Sequence, residues 1–516
     1  MADSTTKIQN FINENDISGL IKYFKGKNHI NHSFFNDNKN IINDLIKNGN
    51  NKILKIIFIF FKFNNDFIIA LILNYKNKTL TYSELKRLLT EENNKITITN
   101  DMYDLAFENN NYMALKILFE NEIITKESNA IRRIIKYNLI ENSIRTKDYN
   151  FVKKILNYKD FNFKNLKYEK ILITAFENSK TINSTSSDNK IAKLLIKSLL
   201  KSPYSSCTYK NSILNIAIEK GNFDLVKYLI ENEDFKYTKE EINSKDLKGH
   251  YPIIEAISNK KFEIFNYLLE KGADYNKKNN NGVPLLFLAL HLNDIEYIIS
   301  LVNDKTLNKI KINILDNNGY TPLITSYTNK YMDIFNYLIE YSDVNKKDKY
   351  GHSILYYVIQ NGDKTNVRNL ISIGTKFDED ILNVAIKTRN ISIILEYDDI
   401  PLSNYKGENG ESFLIVVILN SCHYPSDPSN IEKIIIKGCD VNVTDKEGNT
   451  PLICAVKKNN ASIAELLIKY GAIKDMKNFN GKTASDYIKS CRCISECYCG
   501  FQELCRLFYN IKRERI

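Results

Sequence analysis

The sequence predicts an all-α solenoid of stacked helix-turn-helix units with short turns or β-hairpin fingers, and three observations predict it. A glycine opening a tight turn recurs at Gly249, Gly282, Gly319, Gly351, Gly410, Gly448 and Gly481, spaced 32 to 38 residues apart except across Gly351 to Gly410. Two distant segments share one pattern: Pro252 to Asn276 reads P-I-I-E-A-I-S-N-K-K-F-E-I-F-N-Y-L-L-E-K-G-A-D-Y-N, and Thr450 to Asp475 reads T-P-L-I-C-A-V-K-K-N-N-A-S-I-A-E-L-L-I-K-Y-G-A-I-K-D. Finally, 516 residues with 43% hydrophobic and 26% charged side chains are folded and too many for one small domain. Self-similarity at such a period marks units that bury their apolar faces only against one another.

Each element of the unit has a physical cause. In Asp445 to Leu452, D-K-E-G-N-T-P-L, Gly448 permits a positive φ in the turn. Pro451 stands at a first helical position, where the missing N–H costs nothing. Leu452, Ala455 and Val456 then form one apolar stripe, and Ile463, Leu466 and Leu467 a second, so two short helices are expected. The small Ala455, like Ala217, Ala256 and Ala289, lets neighbouring helices approach, and Gly471 ends the second helix.

The signature D-x-x-G-x-T-P-L-x-x-A, followed by a helix ending L-L-x-x-G-A, resembles the ankyrin repeat. Asp316 to Asn345 matches nearly as well; Asp246 to Asn276 and Asp348 to Phe377 match with losses, and Asp378 to Asp399 is a worn unit in the long step. Copies at Tyr103 to Glu122, Asn138 to Leu156, Ile171 to Leu200 and Asn211 to Asp234 keep a helix pair without the turn signature. The expected organisation is a helical N-terminal region of degenerate repeats (1–100), degenerate repeats (101–245), ankyrin repeats (246–488) and a cysteine-rich C-terminal cap (489–516), about a dozen units. The family usually places His two residues after the proline, but Ile254, Ile324 and Ile453 occupy that slot. Weaker polar ties between repeats are therefore expected, with burial carrying more of the stability.

Composition narrows the function. There are 32 Tyr and no Trp, and Ile, Lys and Asn abound, the mark of an AT-rich genome. The net charge of +11 is spread along the chain among carboxylates, which reads as a solvated surface rather than a nucleic-acid stripe. Met1 to Asn10 carries no secretory pattern. The region Ile53 to Leu73 is broken by Lys55, Lys62 and Asn64 to Asp66, well short of the roughly 18 apolar residues a bilayer span needs. A cytoplasmic monomer with thiol cysteines is expected.

No hydrolase, kinase or metalloprotease motif is present, and no cofactor is expected. Gly481-Lys482-Thr483 resembles the tail of a phosphate loop, but Met476 stands where its first glycine belongs. The six histidines, His29, His32, His250, His291, His352 and His423, lack metal spacing. The feature foreign to the repeat is Cys491, Cys493, Cys497 and Cys499, with Cys505 beyond. Two C-x-C pairs would suffice for a soft ion, but the spacing is unusual for zinc; buried thiols, a disulfide or redox role and lipidation stay open. A buried stripe of Cys497, Phe501, Leu504 and Phe508 on a continuing helix is the expected arrangement.

The resemblance implies a non-enzymatic scaffold or adaptor that binds another protein. The expected contact residues flank the turn glycines: Leu247, Lys248, His250, Asn317, Asn318, Tyr320, Lys349, Tyr350, His352, Lys446, Glu447 and Asn449. Tyr320 and Tyr350 are the expected anchors. The alternative is a metal- or redox-responsive regulator switched by the cysteine cluster.

Overall fold

The computed structural model describes residues 2–26, 34–48, 50–61, 98–125, 130–158, 161, 163, 166–178, 188–201, 206–235, 237–398, 400, 402–407, 409–420, 428–488 and 500–509. Among them every regular element is helical, and an isolated antiparallel bridge, Lys278 to Pro284, is all that appears of a hairpin finger. The chain forms two compact units, Met1–Asp274 and Tyr275–Ile516.

The first unit begins with helices from Ala2–Asn13 to Asn51–Phe60. Phe24, Phe34, Phe35 and Phe61 are buried there edge to face. Helix pairs follow: Asn100–Glu108 with Tyr112–Thr125, Leu139–Arg145 with Tyr149–Leu156, Tyr168–Asn178 with Asp188–Leu200, Cys207–Glu219 with Phe223–Glu231, and Pro252–Ser258 with Phe262–Glu270. All four degenerate copies thus keep their helices.

In the second unit Leu285–Leu292 pairs with Ile295–Leu301, Pro322–Thr328 with Met332–Ile339, and Ile354–Gln360 with Lys364–Ser372. The worn copy survives as Glu379–Lys387 with the short Ile391–Ile394. Phe413–Asn420 with Pro428–Ile436 and Pro451–Lys457 with Ala461–Lys469 come next, then Ala484–Ile488 and Gly500–Tyr509.

The local causes operate as expected. Thr450 caps its helix by accepting from Ile453 N at 3.2 Å, with Pro451 in the first turn, and Thr321 and Pro322 repeat the arrangement. Ala217, Ala256, Ala289 and Ala455 are fully buried. The second stripe differs in one position: Ile463, Ala464 and Leu467 are buried, whereas Leu466 is only half-buried. In the last helix Leu504 is buried and Phe508 half-buried. Cys491, Cys493, Cys497 and Cys499 lie outside the described residues.

One joint is uniform. Between first and second helices the backbone passes through a left-handed residue, at Asn110, Lys147, Gly221, Lys260, Asn293, Lys330, Gly362, Arg389 and Asn459, with φ between 51° and 70°. In most pairs the N–H two residues past the first helix's cap then reaches back to that helix, as from Tyr331 N to Ser326 O at 2.9 Å.

Candidate partner-binding surface

The turns that carry the expected contact residues are built by an aspartate and a glycine. Asp348 Oδ1 accepts from Tyr350 N at 2.8 Å and His352 N at 2.9 Å, while Asp348 N donates to His352 O. Asp246 and Asp445 make the same closed loop, Asp316 closes its own through Tyr320 alone, and Asn279 and Asn478 imitate it with an amide oxygen. Gly448 is required twice: its φ is 79°, and a Cβ there would lie 2.7 Å from Phe479 N. Sequence reasoning placed the aspartate at the head of the turn signature, three residues before the glycine, but gave the turn to the glycine alone and assigned the aspartate no role.

The second unit brings part of the expected set together. Tyr350 is 55% exposed and lies 5.9 Å, centroid to centroid, from the half-buried Tyr320. Lys349 Nζ stands 4.9 Å from the Tyr350 ring centre. His352 is half-buried and stacked flat on Tyr356 at 3.7 Å. Behind them Tyr357 donates to Asp348 Oδ2 at 2.5 Å; burial, then that carboxylate, push its hydroxyl well above the ordinary range, so it stays a neutral donor. Asn317 and Asn318 are exposed on the preceding turn, with Asn317 donating to Asn281 O at 3.3 Å.

The remaining residues stand elsewhere. Lys446 and Glu447 are exposed on a turn that lies beside Gly410. Leu247, Lys248 and His250 belong to the first unit: Leu247 is exposed, Lys248 Nζ lies 3.5 Å from Glu169, and His250 Nδ1 lies 3.3 Å from Glu255. Asn449 needs correction. It is 2% exposed, donates to Asp445 and Glu447 and accepts from Lys457 and from Asn478 of the next turn, so it ties turns together and offers nothing to a partner.

A second set of residues escaped the sequence reading. Asn243 donates to Gly272 O and accepts from Asp274 N; Asn276 does so with Lys309 O and Lys311 N, Asn345 with Gly374 O and Lys376 N, and Asn442 with Gly471 O and Ile473 N. These amides join successive repeats, each standing three residues before the Asp or Asn that builds the turn. Polar ties between repeats thus exist although Ile254, Ile324 and Ile453 hold the histidine slot, and asparagines elsewhere in the unit make them.

Little in the described residues offers chemistry. No group of three or more His, Cys, Asp or Glu there is placed to hold a metal ion. Burial pushes the thiols of Cys439 and Cys454 up to about 11 and about 12, leaving both protonated at neutral pH. No helix among the described residues is long and apolar enough to cross a membrane.

The profile of the family described as ankyrin repeats (3 copies) matches residues 181–279, 253–348, 286–381 and 418–499. The chain is 23% identical over 341 residues to a putative ankyrin repeat protein of Fowlpox virus (strain NVSL), covering 59% of this chain and 53% of that one. It is 26% identical over 322 residues to one from Acanthamoeba polyphaga mimivirus, covering 55% and 40%. It is also 30% identical over 210 residues to alpha-latrocrustotoxin-Lt1a of Latrodectus tredecimguttatus, covering 40% and 13%. It thus spans about half the length, or less, of these curated relatives. Among solved structures it is similar to the ankyrin repeat domain of Bcl-3, at 14% identity and a TM-score of 0.24 over 56% of this chain and 96% of that one. Ankyrin repeats generally mediate protein–protein interaction, and with its family profile matched over more than half its length and its turn signature, capping threonines and helix pairs in place, the chain belongs to the ankyrin repeat family.

Proposed function

We propose that the chain is a non-enzymatic scaffold or adaptor that binds a protein partner through its turn tips, with Tyr350 and Tyr320 as anchors. The observation that carries this is the exposed, cation-capped Tyr350 ring, held by the Asp348 turn and backed by Tyr320. A preordered tyrosine supplies contact area at little cost in side-chain entropy. Lys349, Asn317 and Asn318 form the polar surroundings that exclude water from such an anchor.

The test is affinity capture from native lysate with the full chain, comparing wild type with Tyr350→Ala and with Tyr149→Ala, which removes an exposed tyrosine of the first unit. A protein retained by wild type and by Tyr149→Ala, and lost with Tyr350→Ala, is the expected result. A retained set that ignores Tyr350→Ala rejects this surface.

A further inference from the structure

The first unit holds a cavity of about 150 Å³ between the start of helix Tyr168–Asn178, helix Cys207–Glu219 and the turn at Asp246. It is well below the ~300 Å³ at which small-molecule and cofactor pockets begin, so its volume suits the head of one side chain. Its walls are acidic: Glu169, Glu219, Asp246 and Glu255 all line it.

An uncompensated acceptor sits in the wall. Asn215 is 5% exposed and donates through Nδ2 to Asp246 Oδ2 at 2.8 Å; a carboxylate accepts only, so this bond fixes which way the amide faces. Its Oδ1 has no hydrogen bond. A buried acceptor left this way is destabilising, and a donor arriving from outside would satisfy it.

The cations already present are loosely held or engaged. Lys248 Nζ is 3.5 Å from Glu169 on a side chain 60% exposed, and Lys220 is shared between Glu219 at 3.4 Å and Glu177 at 3.1 Å. His250 Nδ1 faces Glu255 Oε2 at 3.3 Å. Asp246 is already committed to Lys248 N, His250 N and Asn215, which leaves Glu169, Glu255 and Asn215 Oδ1 as the acceptors at hand. A metal ion does not suit the wall, since no three ligating groups among the described residues converge. A planar group with several N–H donors and a fixed positive charge does.

We propose that this cavity binds the guanidinium of an arginine on a partner polypeptide, accepted by Asn215 Oδ1 and by the Glu169 and Glu255 carboxylates. The incoming group displaces Lys248 from Glu169. The inference rests on reading the chain as a protein binder and adds the chemistry that a second contact, in the first unit, would recognise.

The test uses the full chain and a capped peptide, acetyl-Gly-Arg-Gly-amide, against its citrulline and lysine counterparts, following the His250 ring resonance by NMR. With six histidines in the sequence, His250→Gln assigns it. The arginine peptide is expected to shift this resonance saturably and to bind at least five-fold more tightly than either counterpart. Glu169→Gln with Glu255→Gln should reduce it to the citrulline level, Lys248→Gln should tighten it, and Glu263→Gln, on an exposed residue outside the cavity, should leave it alone. Equal binding of arginine and citrulline, equal binding of lysine, or indifference to the double substitution overturns the proposal. Because the probe needs no lysate partner and Tyr350 is not in the cavity, loss of this site and loss of the Tyr350 surface are read separately.

Discussion

Residues 100–156 and 313–376 are both built of helix pairs, yet different chemistry ties them together. In the first stretch the ties run between charged side chains about one repeat apart: Lys136 to Asp104 at 2.6 Å, Lys154 to Glu120 at 2.7 Å and Lys116 to Asp148 at 2.5 Å. Inside it, Glu122 is fully buried, with Arg133 Nε at 3.0 Å and Tyr103 donating at 2.8 Å. In the second stretch the ties are amides: Lys349 N to Gly319 O at 2.9 Å, Asp343 N to Asn313 Oδ1 at 3.1 Å, and the Asn345 bridge, with the ion pair of Lys347 and Asp378 only at its edge. In the stretch without the turn signature, long charged side chains span the gap that short amides span in the other.

The comparison breaks most sharply at the buried pair. Arg133→Met leaves the Glu122 carboxylate without its guanidinium and should cost about 3–5 kcal/mol, read as lost hydrogen-exchange protection in Asn100–Glu108, Tyr112–Thr125 and Leu139–Arg145. Protection in 313–376 should stay, because repeat stability sums over nearest neighbours. Adding Glu122→Leu should restore most of the loss; an equal loss in the double variant means the charge was not the cause.

Next comes the amide tie. Asn345→Ala removes two hydrogen bonds near the surface, at about 0.5–1.5 kcal/mol each, so about 1–3 kcal/mol confined to the pairs at 322–372. No change in their exchange rates would reduce the asparagines to spectators.

How much of this was legible depends on side-chain reach. Gly448, Pro451, the buried alanines and the degenerate helix pairs follow from local rules, and each stands where its residue type requires. The Asn345 bridge does not, because asparagine is abundant in this chain and only the fold distinguishes a tie from a surface residue. Asn449 misled for the same reason. The lysines read as solvated charge; Lys116 and Lys210, with only 14% of their side chains exposed, are instead held by Asp148 and Glu241 roughly a repeat away, a separation sequence does not display as a contact.

Acid and salt should separate the two stretches more gently. Lys136 first, then Tyr137, hold the Asp104 carboxyl below the ordinary carboxylate range by hydrogen bonding. A carboxyl depressed in the folded state stabilises fully above its unfolded value near 3.9 and loses that contribution as pH falls through the folded value. Exchange protection at 100–156 should therefore fall below about pH 4, and 1 M salt should weaken the exposed Lys136 pair at neutral pH. If the 313–376 helices respond equally to salt, the contrast in chemistry carries no thermodynamic weight.

The smallest effect is one the two stretches should share. Lys147 and Lys330 hold the left-handed joint at φ 57° and 62°, and the N–H that follows each reaches back alike, from Asp148 to Ser143 O and from Tyr331 to Ser326 O, both at 2.9 Å. A side chain there costs about 1–2 kcal/mol in backbone strain, while glycine loses roughly 0.4–1 kcal/mol more through the unfolded chain. Lys147→Gly and Lys330→Gly should each stabilise their own pair by about 0.5 kcal/mol, and Gly362→Ala, at φ 70° with a new Cβ 3.1 Å from Asn390 Oδ1, should destabilise. Equal gains at the two lysines would show that the helix-pair joint is the same machine in both stretches, so that whatever separates them in acid or salt comes from the ties alone. A gain at Lys330 with a loss at Lys147 would mean instead that the two stretches differ in backbone as well as in side-chain chemistry.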